Sequence, residues 1–438
     1  MGIIDKIIKI IKRPIKKVYK YVTLKWIYPR EYKRYAKEPI DEKKVIFIEV
    51  LLPELRNSFH IVYDQIISNY DVEIHTHFLR QFFVVRKEAM RRSKELIRDM
   101  ATAKYIFIAE ATDVIGGLEV RPETVITQLW HGCGAFKKFG LSTGELIFGS
   151  SLKSQRRFPS HKNYTTVTVS SPEVVWAYEE AMGISKESGI VKPLGISRTD
   201  VFYDQDFIGD AYAKLHGKVP ASREKKVILY APTFRGRVAS ATAPDELDFS
   251  LLQKGLGEEY VILLKHHPIV EQLPAIPAQY ADFAIDVTND FTIEELISVA
   301  DICISDYSSL IFEYSLFEKP MLFFAYDLDE FNDWRGFYYD YEEMTPGPIC
   351  TTNEEMLDYI QNVEERFNKK EMQAFKERFM SACDGQATKR IMDAAFANNL
   401  EQYRRKEPLT REDYNFPTDA IPFDKMDIKS QNKSKHKD

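Results

Sequence analysis

Short apolar runs alternate with longer amphipathic stretches along most of the chain. Between residues 43 and 197 the β-rich runs are Val45–Val50, Val72–Thr76, Tyr105–Ala109, Val125–Leu129 and Thr166–Ser170, and helical patterns such as Gln81–Met100 and Pro172–Met182 separate them. The alternation begins again at 225, with runs at Val227–Ala231, Val261–Lys265, Ala284–Asp286, Ile302–Ser305 and Met321–Ala325. Strands that alternate with helices are typical of βαβ units in parallel sheets. The pattern therefore predicts an α/β fold with two doubly wound domains, 43–197 and 225–400, that face a cleft.

Both ends of the chain differ from this pattern. Isoleucines and valines within residues 1–22 recur at helical spacing, lysines fill the other faces, and Trp26, Tyr28, Tyr32 and Tyr35 follow. Residues 1–37 hold twelve Lys or Arg against two acidic residues, a local charge near +10. A basic amphipathic helix with aromatic anchors favours an anionic membrane surface, so residues 1–40 are predicted to be a membrane-association segment. The alternatives are a helix packed on its own protein and a solvated arm. Residues 404–438 are polar and are predicted to form a disordered tail.

The charge and the cysteine content of the chain exclude several classes of function. The net charge is −6 although the first segment is strongly basic, so the rest of the chain is acidic and general nucleic-acid binding is excluded. The cysteines are widely scattered, without metal-ligand spacing or a disulfide framework: Cys133, Cys303, Cys350 and Cys383. With neither a signal peptide nor a membrane-spanning run, we expect a peripheral protein on the cytoplasmic face of the cell membrane.

Four predicted strands end in polar or cationic residues. These ends are Trp130-His131-Gly132, Pro232-Thr233-Phe234-Arg235, Lys265-His266-His267-Pro268 and Ser305-Asp306-Tyr307-Ser308-Ser309. Ligands of open α/β sheets bind at the carboxyl ends of the strands, so these clusters predict a site for an anionic, phosphate-bearing substrate. Two serines at a helix start suit a phosphate, and Glu313, one turn later, suits ribose hydroxyls. The alternative at this position is an ordinary serine-capped helix.

In these residues the chain resembles the CDP-glycerol glycerophosphotransferase family, the peripheral membrane enzymes of teichoic acid synthesis and related capsule polymerases. Order and spacing agree over about 125–392. The matching set includes Trp130-His131-Gly132 with Lys137-Lys138, Tyr230 to Arg235, His267-Pro268, Ser305 to Ser309, Phe312-Glu313-Tyr314, Arg335-Gly336-Phe337-Tyr338 and Asp384-Gly385. Two departures leave the acceptor and the polyol open: Cys133-Gly134 replaces the usual Thr-Pro, and Lys265-His266 precedes His267 where Arg is common.

The resemblance implies a GT-B-like fold with two Rossmann-like domains, the acceptor domain first and the CDP-donor domain second. It implies transfer of a polyol phosphate, glycerol phosphate first and ribitol phosphate as the alternative, from a CDP-polyol to a hydroxyl of a lipid-linked or polymeric acceptor, with release of CMP. No cofactor or metal is implied. Priming or polymerisation, teichoic acid or capsule, and the oligomeric state are left open.

Each candidate residue receives a role on this basis. His131 is the candidate general base, because an imidazole suits proton transfer near neutral pH. His267 would stabilise the diphosphate or protonate the leaving CMP. The alternative for each is a structural histidine. The expected donor-binding residues are Thr233, Arg235, Lys265, Asp306, Ser308, Ser309 and Glu313, and the acceptor-side charges are Lys137 and Lys138.

Two rival functions share the predicted fold. One is a GT-B glycosyltransferase with a nucleotide-sugar donor, and the other is a catalytically inactive binding protein. The released nucleotide separates the phosphotransferase, which releases CMP, from the glycosyltransferase, which releases a nucleoside diphosphate. The presence of His131, His267, Arg235 and Ser308 argues against the inactive binding protein.

Overall fold

The computed structural model describes residues 17–81, 83–144, 146, 151–236 and 241–419, apart from the side chains of 332–335. Within these residues, the first sheet has six parallel strands in the order β2-β1-β3-β4-β5-β6. They are β1 Asp41–Glu49, β2 Glu73–Phe78, β3 Ala103–Ile108, β4 Val125–Gln128, β5 Thr166–Thr168 and β6 Val191–Lys192. β1 is buried on both faces from Val45 onward, as expected of a central strand covered by helices.

The second sheet repeats this architecture. Its six described strands, also parallel, lie in the order β12-β11-β10-β7-β8-β9. They are β7 Lys226–Tyr230, β8 Tyr260–Leu264, β9 Ala284–Asp286, β10 Ile302–Ser305, β11 Met321–Phe324 and β12 Ile349–Cys350. In each sheet the first strand in the sequence has neighbours on both sides: β1 lies second from one edge, and β7 lies third from one edge. The predicted α/β, doubly wound fold is therefore confirmed.

Helices cover both faces of the sheets. Those of the first half are α1 Tyr28–Tyr35, α2 Asn57–Asn69, α3 Arg86–Met100, α4 Asp113–Gly116, α5 Leu152–Arg157 and α6 Val175–Met182. The remainder are α7 Gln205–Lys218, α8 Phe249–Leu256, α9 Ile293–Val299, α10 Leu310–Ser315, α11 Leu328–Arg335, α12 Asn353–Gln361, α13 Val363–Arg366, α14 Lys369–Met380 and α15 Ala387–Phe396. Among the described residues no helix is both long and apolar enough to span a bilayer.

The last helix crosses back to the first sheet. Ile391, Ala395 and Phe396 of α15 belong to the same buried cluster as the β1 and β3 side chains. The ring centroids of Phe396 and Tyr105 lie 4.6 Å apart in an edge-to-face arrangement. The predicted second domain, 225–400, therefore extends too far. The apolar face of α15 packs on the first sheet. Helical periodicity predicts the helix but does not show which sheet it contacts.

Residues 404–419 also return to the first sheet, in contrast to the predicted disordered tail. Tyr414 donates a hydrogen bond to Asp64 Oδ1 at 2.8 Å, and the rings of Phe416 and His60 stack at 4.2 Å. Asp419 accepts a hydrogen bond from Arg92 Nη1 at 2.9 Å. The two aromatic anchors offset the polar composition that suggested disorder. The rest of the predicted tail, 420–438, lies outside the described residues.

The basic N-terminal segment is helical from 17 to 35, with a π-helical turn at Thr23–Ile27. Its inner face is part of the first core, where Leu24, Tyr28 and Tyr32 are buried. Trp26, in contrast, is 65% exposed. The helix therefore packs on its own protein and also presents an outer face. Residues 1–16 of the predicted membrane segment lie outside the described residues.

Candidate active site

His131 lies in the loop after β4, at the carboxyl edge of the first sheet. Trp130 adopts a left-handed backbone (φ 58°), and its amide donates to Gln128 Oε1 at 3.0 Å, which turns the chain sharply at the strand end. His131 Nδ1 lies 2.9 Å from the carbonyl oxygen of Ala109. Because a carbonyl only accepts, Nδ1 carries the proton, and the neutral ring has its lone pair on Nε2. Burial lowers the pKa of His131 below its usual value, which keeps the ring neutral at neutral pH.

The loop after His131 packs directly on the second domain. A Cβ added at Gly132 would lie 3.7 Å from Ser309 Oγ. At Gly134 the backbone is left-handed (φ 62°), and an added Cβ would lie 2.2 Å from the Phe312 ring. Proline, with φ fixed near −65°, cannot adopt this conformation. Gly134 therefore allows a close approach between the two domains, and His131 is brought next to the Ser308-Ser309 turn.

Glu313 is expected to bind ribose, but one of its two carboxylate oxygens already accepts a hydrogen bond within the protein. Its Oε1 accepts a hydrogen bond from Nη2 of Arg198, a residue between the two domains, and Arg198 Nη1 lies 3.6 Å from Glu294 Oε1. Among the described residues, Arg198 Nε, Glu294 Oε2 and Glu313 Oε2 are buried without a hydrogen-bond partner. Unpaired buried polar atoms cost about 1–3 kcal/mol each unless a ligand or water pairs them. The cluster therefore has hydrogen-bonding capacity for a bound molecule.

Arg235 and Asp306 pair with each other. Arg235 binds both carboxylate oxygens of Asp327, at 2.6 and 2.9 Å, and donates to Asp306 Oδ2 at 2.9 Å. Asp306 Oδ1 accepts from the amide of Thr233 at 2.8 Å. The Arg235 guanidinium, which was predicted to bind a diphosphate, thus donates its hydrogen bonds to two carboxylates of the same chain. Arg235 therefore connects the ends of β7, β10 and β11, and its role in donor binding stays a prediction.

Lys265 is also engaged, because its Nζ donates to the carbonyl oxygens of Thr288 and Phe291 at 2.6 and 2.5 Å. Burial lowers the pKa of Lys265. The Ser308 hydroxyl accepts from the Leu310 amide at 3.4 Å, a turn that shapes the start of α10. Both residues line the carboxyl edge of the second sheet, as the sequence predicted, with part of their hydrogen-bonding capacity used by the protein.

His267 lies three residues beyond the end of β8. Its Nδ1 accepts from the Ile269 amide at 3.1 Å, so the neutral ring carries its proton on Nε2. Desolvation by the surrounding protein, and then the charge of Lys137, lower the pKa of His267. Lys137, expected on the acceptor side, thus belongs to the first domain but lies near the second-domain histidine. The main chain at Lys137 and Lys138 pairs with 336 and 337 across the cleft.

A family model described as CDP-Glycerol:Poly(glycerophosphate) glycerophosphotransferase matches residues 31–397. The chain belongs to this family. The ordered strand-end motifs indicated this same family, and the family match confirms that expectation.

Known relatives of the glycerophosphotransferase family agree with the match. Teichoic acid poly(ribitol-phosphate) polymerase of Bacillus spizizenii is 38% identical over 360 residues, which are 81% of this chain and 56% of that protein. Teichoic acid ribitol-phosphate primase of the same organism is 32% identical over 366 residues, 81% of this chain and 91% of the primase. The chain therefore spans a little more than half of the first relative and most of the second.

The solved structure of the wall teichoic acid polymerase TagF superimposes with a TM-score of 0.67 at 23% identity, over 92% of this chain and 99% of that one. At this identity the likeness shows the fold, and it confirms the GT-B-like architecture expected of the glycerophosphotransferase family.

Sequence reasoning missed several charged residues of this site: Arg56, Glu110, Arg198 and Glu294. Each lies outside the strand-end motifs that drew attention, in a helix start, a loop or the interdomain segment. Glu110 alone carried a usable signal, because it lies two residues after the end of β3 and parallel strand ends meet at one edge of a sheet.

Proposed function

We propose that this glycerophosphotransferase family member transfers a polyol phosphate from a CDP-polyol to a hydroxyl of a lipid-linked or polymeric acceptor, and releases CMP, in the synthesis of a teichoic acid. The observation that carries the proposal is the tautomer of His131. Its lone pair is on Nε2, and its loop lies against Ser309 of the second domain. A base on one wall of the cleft and a phosphate-binding turn on the other are what phosphoryl transfer to an alcohol requires.

In the proposed reaction His131 Nε2 accepts the proton of the acceptor hydroxyl while that oxygen attacks the β-phosphorus. The new O–P bond forms as the bond between this phosphorus and the CMP oxygen breaks, and the electron pair leaves with CMP. His267 donates through Nε2–H to the diphosphate or to the departing CMP. In this proposal Ser308, Ser309 and Lys265 contact the phosphates. Glu313 Oε2, which has no hydrogen-bond partner among the described residues, accepts from a ribose hydroxyl.

The polyol is a separate part of the proposal. The two relatives described above carry ribitol phosphate in their names, whereas a glycerol-phosphate primase of Bacillus subtilis is 32% identical over a shorter stretch of 284 residues. CDP-ribitol is therefore the donor to test first, beside the CDP-glycerol that the sequence analysis favoured.

The test is incubation of the purified protein with CDP-ribitol or CDP-glycerol and a lipid-linked acceptor, with quantification of CMP and of nucleoside diphosphates. We expect CMP from one donor, and a loss of about 10²–10⁴-fold in rate for His131→Ala and for His267→Ala. His216→Ala is the matched control, since His216 bonds Ser222 on a remote helix. Release of a nucleoside diphosphate from a nucleotide-sugar would instead establish the glycosyltransferase alternative, and CDP binding without turnover of any donor the inactive binding protein.

We also propose that the protein binds an anionic membrane through the outer side of its N-terminal helix. We call this surface the basic face, defined as the exposed side chains of residues 17–26 together with 152–158. It exposes Val18, Val22 and Trp26 at 61%, 41% and 65%. Arg157 lies 4.7 Å from the Tyr21 ring and Lys20 5.0 Å from the Phe158 ring, which joins α5 to the helix. Apolar side chains set among cations suit an anionic lipid surface.

A further inference from the structure

A line of alternating charges runs from the interior of the first domain to His131. Glu110 Oε1 lies 3.5 Å from His131 Nδ1. Arg56 Nη1 donates to the same Glu110 oxygen at 2.6 Å. On its other side Arg56 binds both carboxylate oxygens of Glu49, through Nε and Nη2, each at 3.0 Å. Glu110, Arg56 and Glu49 therefore form a continuous chain of contacts that begins at the imidazole. Glu110 and Glu49 follow or end strands, and Arg56 lies at a helix start.

Glu49 fixes the inner end of this line. Its side chain is fully buried, and its Oε1 also accepts from the amides of Leu51 and Leu52 at 2.9 and 3.0 Å. A buried carboxylate with four hydrogen bonds has little freedom to move. The two-pronged contact then fixes the plane of the Arg56 guanidinium, and Arg56 in turn fixes the Glu110 carboxylate. Glu110 itself is 19% exposed, at the border of the cleft.

We propose that Glu110, held by Arg56 and Glu49, is a positioning residue for His131: it stabilises the imidazolium that forms when Nε2 takes the acceptor proton. This inference rests on the proposed function, in which His131 is the base. The Ala109 carbonyl oxygen accepts a hydrogen bond from Nδ1–H and so sets the tautomer. Glu110 supplies the negative charge, which a neutral carbonyl lacks.

The other charges around His131 make this contribution necessary. Arg56 and Arg198 both lower the pKa of His131, and Glu110 raises it. His161 is a further neighbour, and its pKa is lowered to about 4 by burial and by His131, so it is neutral near pH 7. Without Glu110 the imidazolium would keep the two guanidinium groups and lose the carboxylate that lies 3.5 Å from its Nδ1. Proton transfer to Nε2 would then become less favourable.

The variant that tests this is Glu110→Gln, which keeps the shape and an oxygen for Arg56 but removes the charge. We expect the plateau of kcat to fall by about 10–100-fold, and the acid limb of the kcat profile to move to lower pH because His131 loses the carboxylate that raises its pKa. Glu110→Asp should restore part of the rate. Glu73→Gln is the matched control: Glu73 contacts His75 in the same sheet, away from the cleft, and both plateau and acid limb should stay unchanged.

A second measurement does not depend on turnover. NMR titration of His131, in protein labelled at its histidines, should show a lower pKa in Glu110→Gln than in the unchanged protein, with Nδ1 protonated in both neutral forms. If the titration moves but no CDP-polyol is turned over by the unchanged protein, the electrostatic link stands and the proposed function fails. If neither the titration nor the acid limb moves in a folded Glu110→Gln protein, the positioning role of Glu110 is overturned.

Discussion

Arg198 and Glu313 join the interdomain segment to α10, the helix that follows the Ser308-Ser309 turn. Nη2 of Arg198 donates to Glu313 Oε1, and Nη1 lies 3.6 Å from Glu294 Oε1, so one cation balances two buried carboxylates. The carboxylates raise the pKa of Arg198, which stays charged at every accessible pH. The position of α10 relative to the first domain therefore depends on this cation.

Replacement of Arg198 by Met should destabilise the protein and weaken donor binding together. Loss of one partner of a buried ion pair leaves uncompensated charge and costs about 3–5 kcal/mol. Urea unfolding and calorimetry with CDP measure the two effects. The matched control is Lys214→Met, which breaks a more exposed pair with Glu295 on the neighbouring helix, where a loss under about 1 kcal/mol is expected. Equal unfolding midpoints for the two variants would contradict this account.

Arg235→Met should act on stability more than on the donor. Asp306 and Asp327 would both lose their cation, at a cost of about 3–5 kcal/mol. Arg235→Lys keeps a charge but not the two-pronged contact with Asp327, and should recover part of the loss. Arg378→Met, which opens a surface pair with Glu173, is the control. A tenfold loss of CDP affinity at an unchanged unfolding midpoint would instead return Arg235 to the donor site.

Gly134→Ala should separate the two domains slightly. The left-handed backbone and the 2.2 Å approach of an added Cβ to the Phe312 ring both oppose a side chain there. We expect a loss of at least about 2 kcal/mol. Gly132→Ala, where the nearest atom would lie at 3.7 Å, should cost less than about 0.5 kcal/mol. Thermal unfolding of the two variants provides the measurement, and similar losses at both positions would argue against the packing explanation.

The strand-end clusters were predictable because they depend on local pattern. A parallel strand places its last residues at one edge of the sheet, so His131, His267 and Ser308 could be assigned to one cleft from the sequence. Their remaining partners could not. Arg235 was expected to be free because Asp327 lies 92 residues away in the chain, and no periodicity signals that pair. The same limit applies to α15 and to residues 404–419, whose packing partners are in the first domain.

Stability should depend on pH through His161. Burial, and then His131, lower the pKa of His161 to about 4, below its ordinary value of about 6.5. Between these values the unfolded chain binds a proton that the folded chain does not, so stability rises with pH across this window and is lost as pH falls. His161→Gln should reduce the dependence by roughly 1–3 kcal/mol. Urea unfolding at pH 4.5 and at pH 7 tests this. The difference in unfolding free energy between the variant and the unchanged protein should not be the same at the two pH values. A constant difference would exclude His161 as the cause.

The membrane proposal calls for point variants, because deletion of the N-terminal segment would also remove core residues. Leu24, Tyr28 and Tyr32 are buried, and the Tyr32 hydroxyl accepts from the Arg121 amide at 3.1 Å. Trp26→Ser with Val18→Ser and Val22→Ser alters only exposed positions of the basic face. We expect weaker sedimentation with vesicles that contain anionic lipid, since each buried apolar side chain contributes about 1.5–3 kcal/mol.

The contributions of charge and of apolar contact to membrane binding by the basic face can be measured separately. Arg156→Gln with Arg157→Gln should weaken binding to anionic vesicles at low salt by about 1 kcal/mol per charge, and the deficit should shrink as salt rises. The serine variants should keep their deficit at high salt. Tyr212→Ser, an exposed aromatic on α7 in the other half of the molecule, is the control. In turnover assays the basic-face variants should lose activity on a lipid-embedded acceptor and retain it on a short soluble analogue. Unchanged sedimentation of both sets would mean that this helix faces water rather than lipid.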